Sequence, residues 1–182
     1  MMGSGHLFSR CCRHMGIVIF SLLLAPSACA SDFAWVLKVF DGDTILVEGL
    51  NKAYGSPATI RLAGIDSPEK AGRDGQPGQP LADRSKAYLS NLIQRKKVQI
   101  DPVGLDPYGR TVAVVYQDGE NINLKMLRNG MAEVYRGKFP EGIPKADYWA
   151  AESDAKSDKA GIWRLGSRYE SPYQWKRRHR HP

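Results

Sequence analysis

The sequence predicts an α+β fold: a five-stranded Greek-key β-barrel of the oligonucleotide-binding type with three α-helices. Three observations carry this. Apolar residues recur at period two in short β-branched runs, the order of elements reads β-β-β-α-β-β-α-α, and no strand–helix alternation or internal repeat marks a parallel sheet.

Trp35 to Phe40 reads as the first strand, Asp41-Gly42 as its turn and Thr44 to Val47 as its hairpin partner. A polar stretch from Gly49 to Pro57 precedes a third strand over Thr59 to Ala63. Ser67 to Pro80 is dense in Gly and Pro and contains Lys70 and Arg73, so it is a loop. Leu81, Tyr88, Leu89, Leu92 and Ile93 fall at helical spacing and define an amphipathic helix over residues 81–95. Val98–Ile100 and Thr111–Tyr116 are the remaining barrel strands, with Asp118-Gly119 as a turn. Asn121 or Asn123 caps a short helix through Leu124, Met126 and Leu127 that ends at Gly130. Met131 to Tyr135 returns to extended structure. An Ala-rich helix over residues 145–160 stops at Gly161, leaving Ile162-Trp163 to pack back on the barrel.

The ends of the chain read differently. Residues 1–30 run from Arg10 and Arg13 through an apolar stretch, Gly16–Ala25, to Ala28-Cys29-Ala30. This is the order of a secretory signal, too short to span a bilayer and cleaved after about Ala30. A lipid anchor on Cys29 is the weaker alternative, because Pro26 stands where such signals favour a branched apolar residue. The expectation is therefore a secreted or periplasmic protein without stable membrane insertion. All three cysteines lie in the signal, so the mature chain forms no disulfide and is held by packing alone. Residues 31–166 make one domain, expected to act as a monomer, and 167–182 read as a basic, flexible tail that includes Lys176 and Arg180.

Composition narrows the chemistry. Removing residues 1–30 lowers the formal charge from +7 to +5, which suits a polyanionic partner. From Ser31 to Arg178 there is neither His nor Cys. That excludes Ser-His-Asp and Cys-His hydrolases, histidine-pair ribonucleases and zinc sites built on His or Cys. Carboxylates, hydroxyls, Lys, Arg and a hard metal ion remain.

Asp43 opens a strand and Asp66 closes one, so a small barrel brings both to the same rim, with Glu69 three residues further on. Such a hard-oxygen set suits Ca²⁺, Mg²⁺ or Mn²⁺. Arg61 and Arg110 supply planar guanidinium groups for phosphate oxygens. A metal-activated water, a carboxylate and two arginines are the parts a phosphodiester needs. A barrel that only binds nucleic acid has no use for carboxylates facing phosphate. An envelope protein whose basic tail binds anionic lipid is a further alternative.

Val39-Phe-Asp-Gly-Asp-Thr-Ile45, Arg61-Leu-Ala-Gly-Ile-Asp-Ser-Pro-Glu69, Asp106-Pro-Tyr-Gly-Arg110 and Leu127-Arg-Asn-Gly-Met-Ala132 occur in order. Together they resemble the signature segments of the staphylococcal nuclease (thermonuclease) family, over about Trp35 to Trp163. The resemblance implies a secreted bacterial Ca²⁺-dependent endonuclease acting on DNA and RNA, with little sequence preference. Metal-activated water would leave a 3′-phosphate and a 5′-hydroxyl. It implies that Asp43, Asp66 and the Ser67 carbonyl bind Ca²⁺, that Asp41 supports them from behind, and that Glu69 acts as general base or positions the water. Arg61 and Arg110 would grip the scissile phosphate, with Tyr108 beside the nucleotide. Tyr135, Arg136 and Lys138 fall on the substrate side, where the chain lacks the tyrosines of the family's type enzyme.

Overall fold

The computed structural model describes residues 32–49, 57–72 and 75–179. The signal segment, residues 50–56 of the polar stretch, Arg73 and Arg180 lie outside the described residues.

Five strands close the barrel: β1 (Asp32–Val39), β2 (Thr44–Glu48), β3 (Ala58–Leu62), β5 (Lys97–Leu105) and β6 (Thr111–Gln117). They pair in the order β3-β2-β1-β5-β6, all antiparallel, and a parallel pairing of β3 with β6 seals the ring. A two-residue strand, β7 (Glu120–Asn121), extends β6 beyond the Asp118-Gly119 turn, where both residues take positive φ. A second small ladder joins β4 (Ile65–Asp66) to β8 (Glu133–Val134).

Along β1 the inward residues are Ala34 and Val36, and then Val39 rather than Lys38. The register shift between Val36 and Lys38 moves the pleat by one position, which keeps the lysine out and Val39 in. Ile45, Val47, Ile60, Leu62, Ile100 and Val115 fill the barrel interior. Helix α1 (Ala82–Ile93) presents Leu89 and Ile93 to this core, and α2 (Ile122–Arg128) presents Met126 and Leu127.

Asn121 is the N-cap of α2, its side chain accepting from the Leu124 N–H at 3.0 Å. Asn123 is buried instead, where its Oδ1 accepts from the Val115 N–H and its Nδ2 donates to the carbonyls of Ala63 and Ala113. One amide thus closes the end of the parallel β3–β6 seam, and each of its polar groups has a partner.

Helix α3 (Lys145–Ser157) ends three residues earlier than the sequence predicts. A short 3₁₀ segment, Gly161–Arg168, follows and buries Ile162. Gly130 and Gly161 both have positive φ and lie where two backbones cross, with the Ile162 N–H donating to the Gly130 carbonyl at 2.8 Å. A Cβ at either glycine would overlap the other strand's backbone. Residues 167–182, read from the sequence as a flexible tail, contain a fourth helix, α4 (Pro172–Arg178), which is docked against the body of the protein.

Helix α3 is tied to β8 by Glu152, which is buried. Its carboxylate accepts from the Val134 N–H at 2.8 Å, from Arg136 at 2.7 and 2.8 Å and from Lys156 at 2.6 Å. Burial alone would raise Glu152, but these donors outweigh it and hold the carboxyl below its ordinary 4.5. The charged form is the one the fold favours. Its contribution is therefore complete above the ordinary value and is lost as pH falls through the lower folded value. Glu152→Ala should cost about 1–3 kcal/mol in urea unfolding at neutral pH. It should also flatten the stability loss of the wild type below pH 4.5.

Candidate active site

The connection between β1 and β2 is a four-residue loop, Phe40–Asp43, not the two-residue turn that Asp41-Gly42 suggests. Phe40 donates its N–H to the Thr44 carbonyl at 2.9 Å, and Leu62 donates to the Asp43 carbonyl at 2.8 Å. Gly42 is needed here for space. A Cβ on it would meet the Ser85 side chain and lie 2.7 Å from the Cβ of Ser67. The loop can therefore press against Ser67, and Asp43 accepts the Ser67 N–H at 2.6 Å.

Asp43 and Asp66 are both buried, and one guanidinium joins them. Arg61 Nη1 lies 2.8 Å from Asp43 Oδ1 and Arg61 Nη2 lies 3.0 Å from Asp66 Oδ1. The Thr44 hydroxyl also donates to Asp43, at 3.0 Å. Asp41 stands behind, accepting the Asp43 N–H at 3.1 Å.

The electrostatics follow from this packing. Burial would raise Asp43, but Arg61 and the Ser67 N–H outweigh it and hold the carboxyl below its ordinary range. Burial and the neighbouring Asp43 charge raise Asp66, in spite of Lys176 and Arg61. The same two causes push Asp41 up to about 6. Three carboxylates, Asp43, Asp66 and Glu69, thus share two directly bound cations, Arg61 and Lys176, with the Asp41 carboxylate behind them. Among the described residues no three acidic, His or Cys side chains are gathered closely enough to hold a metal by themselves. The Asp43 and Asp66 carboxylates are what this corner offers, hard oxygen donors in a cluster with more carboxylates than cations. They fit a divalent cation of the Ca²⁺ or Mg²⁺ kind.

Glu69 is one-third exposed and held through its backbone. Its N–H donates to Gln79 Oε1 at 2.8 Å, and the Gln79 N–H donates to the Glu69 carbonyl at 2.7 Å. Arg110 immediately precedes β6, the strand beside β3. The register Arg61↔Val112 sets it two positions back, about 7 Å along the barrel. Its Nε pairs with Asp106 Oδ2 at 2.6 Å, while Asp106 Oδ1 accepts the N–H groups of Tyr108 and Arg110. Tyr108 is held out into solvent at 85% exposure, with the Arg110 guanidinium 5.7 Å from its ring. Tyr135 and Lys138 are exposed, whereas Arg136 is engaged by Glu152 and lies over the Trp149 ring at 4.6 Å.

Three participants escape sequence reasoning. Lys176 of α4 bonds Asp66 Oδ1 at 3.0 Å and Glu69 Oε1 at 2.9 Å. Gln79 joins the Glu69 loop to the C-terminal segment, its Nε2 donating to the Glu170 carbonyl at 2.9 Å. Glu133, opposite Asp66 in the small ladder, accepts from the Tyr169 hydroxyl at 2.6 Å and is raised chiefly by burial. A signal for α4 did exist: Ser171 and Gln174 form a capping box with Pro172 at the first helical position.

Residues 59–165 match the model of the family described as staphylococcal nuclease homologue. The chain belongs to this family. Over 165 residues it is 37% identical to an "Uncharacterized endonuclease" of Haemophilus influenzae, an alignment covering 88% of this chain and 82% of the relative. It is 34% identical over 166 residues to a "Probable endonuclease LCL3" of Verticillium alfalfae, covering 87% of this chain and 55% of that protein. With the protein of the same name from Saccharomyces cerevisiae it shares 39% identity over 128 residues, 65% of this chain and 45% of the relative. The chain thus spans about half the length of these fungal relatives. The protein is a nuclease, and nucleic acid is its substrate.

Gly42→Ala tests whether this loop needs its close approach. The added methyl group should displace Ser67 or Ser85, costing about 1–3 kcal/mol of stability and lowering nuclease activity by at least about tenfold. Thermal unfolding and a nuclease assay on the same preparation check both.

Proposed function

We propose that this protein is an exported, Ca²⁺-dependent endonuclease that hydrolyses DNA and RNA with little sequence preference. The observation that carries the proposal is the Asp43–Arg61–Asp66 bridge, with Glu69 three residues beyond it and within reach of the same lysine. Export is supported by the basic, apolar and small-residue order of residues 1–30.

Asp43, Asp66 and the Ser67 carbonyl would hold the cation, which when bound polarises a phosphoryl oxygen and acidifies water. Asp41 keeps the Asp43 loop in place through the Asp43 N–H. Arg61 is fixed by two carboxylates, so its fork is preorganised for charge developing on phosphate oxygens. Arg110, oriented by Asp106, offers a second guanidinium from the turn that leads into β6. Glu69 is the carboxylate accessible enough to orient or deprotonate the attacking water. Tyr108, Tyr135 and Lys138 project from the surface and are assigned to the substrate side, with Arg136 beside them. The two arginines named as anchors grip phosphate rather than base edges, so sequence preference is weak. With no histidine pair to deprotonate a 2′-hydroxyl, the attacking group is water; the resemblance to the family implies that the P–O5′ bond breaks, leaving a 3′-phosphate and a 5′-hydroxyl.

Activity on single-stranded DNA, duplex DNA and RNA is expected with Ca²⁺ and is expected to vanish in excess chelator. Asp43→Ala should abolish both cleavage and calorimetric Ca²⁺ binding. Undiminished cleavage in chelator, or RNA-only cleavage with 2′,3′-cyclic ends, would overturn the assignment. Arg61→Lys keeps one charge but loses the fork, so kcat should fall by about 10²-fold or more while KM changes little. Wild-type turnover in that variant would place Arg61 outside the reaction.

A further inference from the structure

We infer that helix α4 is the second wall of a nucleotide subsite, which takes an unstacked base beside the scissile phosphate between Tyr108 and Trp175. The inference rests on the nuclease reading above and adds to it residues from a segment that lies beyond the matched region 59–165.

A cleft of about 440 Å³ opens next to the carboxylate cluster, lined by Glu69, Lys70, Tyr108, Trp175, Lys176 and His179. Its volume falls within the range of small-ligand sites. Glu69 on its wall means that whatever fills the cleft lies against the group assigned to the water. Lys176 is paired there with Asp66 and Glu69, which leaves Lys70 at the rim to meet a phosphate backbone.

The aromatic groups point the same way. Tyr108 is almost fully exposed and contributes nothing to the core. On α4, Trp175 also lines the cleft, its ring 4.3 Å from that of His179 and tilted by 32°, with the Arg178 guanidinium 4.9 Å from it. Aromatic faces on a basic groove are what bases of a single strand stack on, without regard to sequence.

The wall is fastened in place. Gln79 holds the Glu170 carbonyl, Gln76 Nε2 donates to the His179 carbonyl at 3.2 Å, and the Ser171–Gln174 box starts the helix. The Lys176 ammonium, on Asp66 and Glu69, joins α4 to the reaction centre. That contact also offsets carboxylate charge that would otherwise repel an incoming phosphate.

The test uses the full chain and a fluorescein-labelled single-stranded DNA 12-mer. Binding is read by anisotropy in excess chelator, and cleavage by steady-state kinetics with Ca²⁺. Trp175→Ala and Tyr108→Ala are each expected to weaken binding about tenfold, the loss of one stacking face. KM should rise by a similar factor while kcat stays within about two-fold, because stacking is made equally before and during the reaction. Trp175→Phe, which keeps a ring, should recover most of the affinity. Should Trp175→Ala fail to fold by circular dichroism, Trp175→Phe and the solvent-exposed Tyr108→Ala decide the matter. Wild-type affinity in the two alanine variants overturns the subsite. Tighter binding in Trp175→Ala also overturns it, because α4 would then block the site. Binding in chelator reports on the subsite alone, and cleavage by the wild type reports on the nuclease reading, so either can fail without the other.

Discussion

Two buried carboxylates in one pocket repel each other, and in this protein a single guanidinium stands between them. Arg61 reaches Asp43 on one side and Asp66 on the other, joining the β1–β2 loop to the end of β4 from a position near the end of β3. Removing a partner from such a buried pair leaves an uncompensated charge, so the bridge holds three chain segments in register. The arrangement also keeps the arginine's fork in one orientation. A group restrained in this way needs little reorganisation when phosphate charge develops beside it, the condition under which electrostatic catalysis is strongest.

Most of this centre was legible in the sequence because its parts come in local motifs. Asp43 follows a strand and a glycine, Arg61, Asp66 and Glu69 lie within nine residues, and Asp106 and Arg110 share one turn. The barrel strands were legible for the same reason, since period-two burial is a local pattern. The role of Gly42 was not. A Gly after Asp reads as a turn residue, whereas here the missing Cβ is what lets the loop reach Ser67 and Ser85, a contact between distant segments. Two-residue strands such as β4 and β8 are too short to show any period.

The C-terminal segment was the least legible. Lys176 meets Asp66 across 110 positions, and Gln79 meets Glu170 across 91. Basic composition there pointed to a solvated end, and the local capping signal at Ser171 carried no information about where the helix docks. Arg136 is a related case. Its sequence position suggests contact with substrate, yet its partners are set by Glu152, sixteen residues on in a helix that must first be docked. Charged side chains at a barrel rim are assigned by neighbours in space, which composition does not reveal.

The parallel seam between β3 and β6 has a consequence for the two arginines. Ile60 pairs with Thr111 across about fifty residues and Trp35 with Lys97 across about sixty, so two long-range pairings seal the ring, whereas β1–β2, β2–β3 and β5–β6 join strands that are neighbours in sequence. Arg61 lies in β3 and Arg110 immediately precedes β6, so they become neighbours only when that seam is paired. An intact β1–β2 hairpin therefore does not by itself set the two guanidinium groups side by side. Their proximity is a property of the closed barrel rather than of either sequence motif.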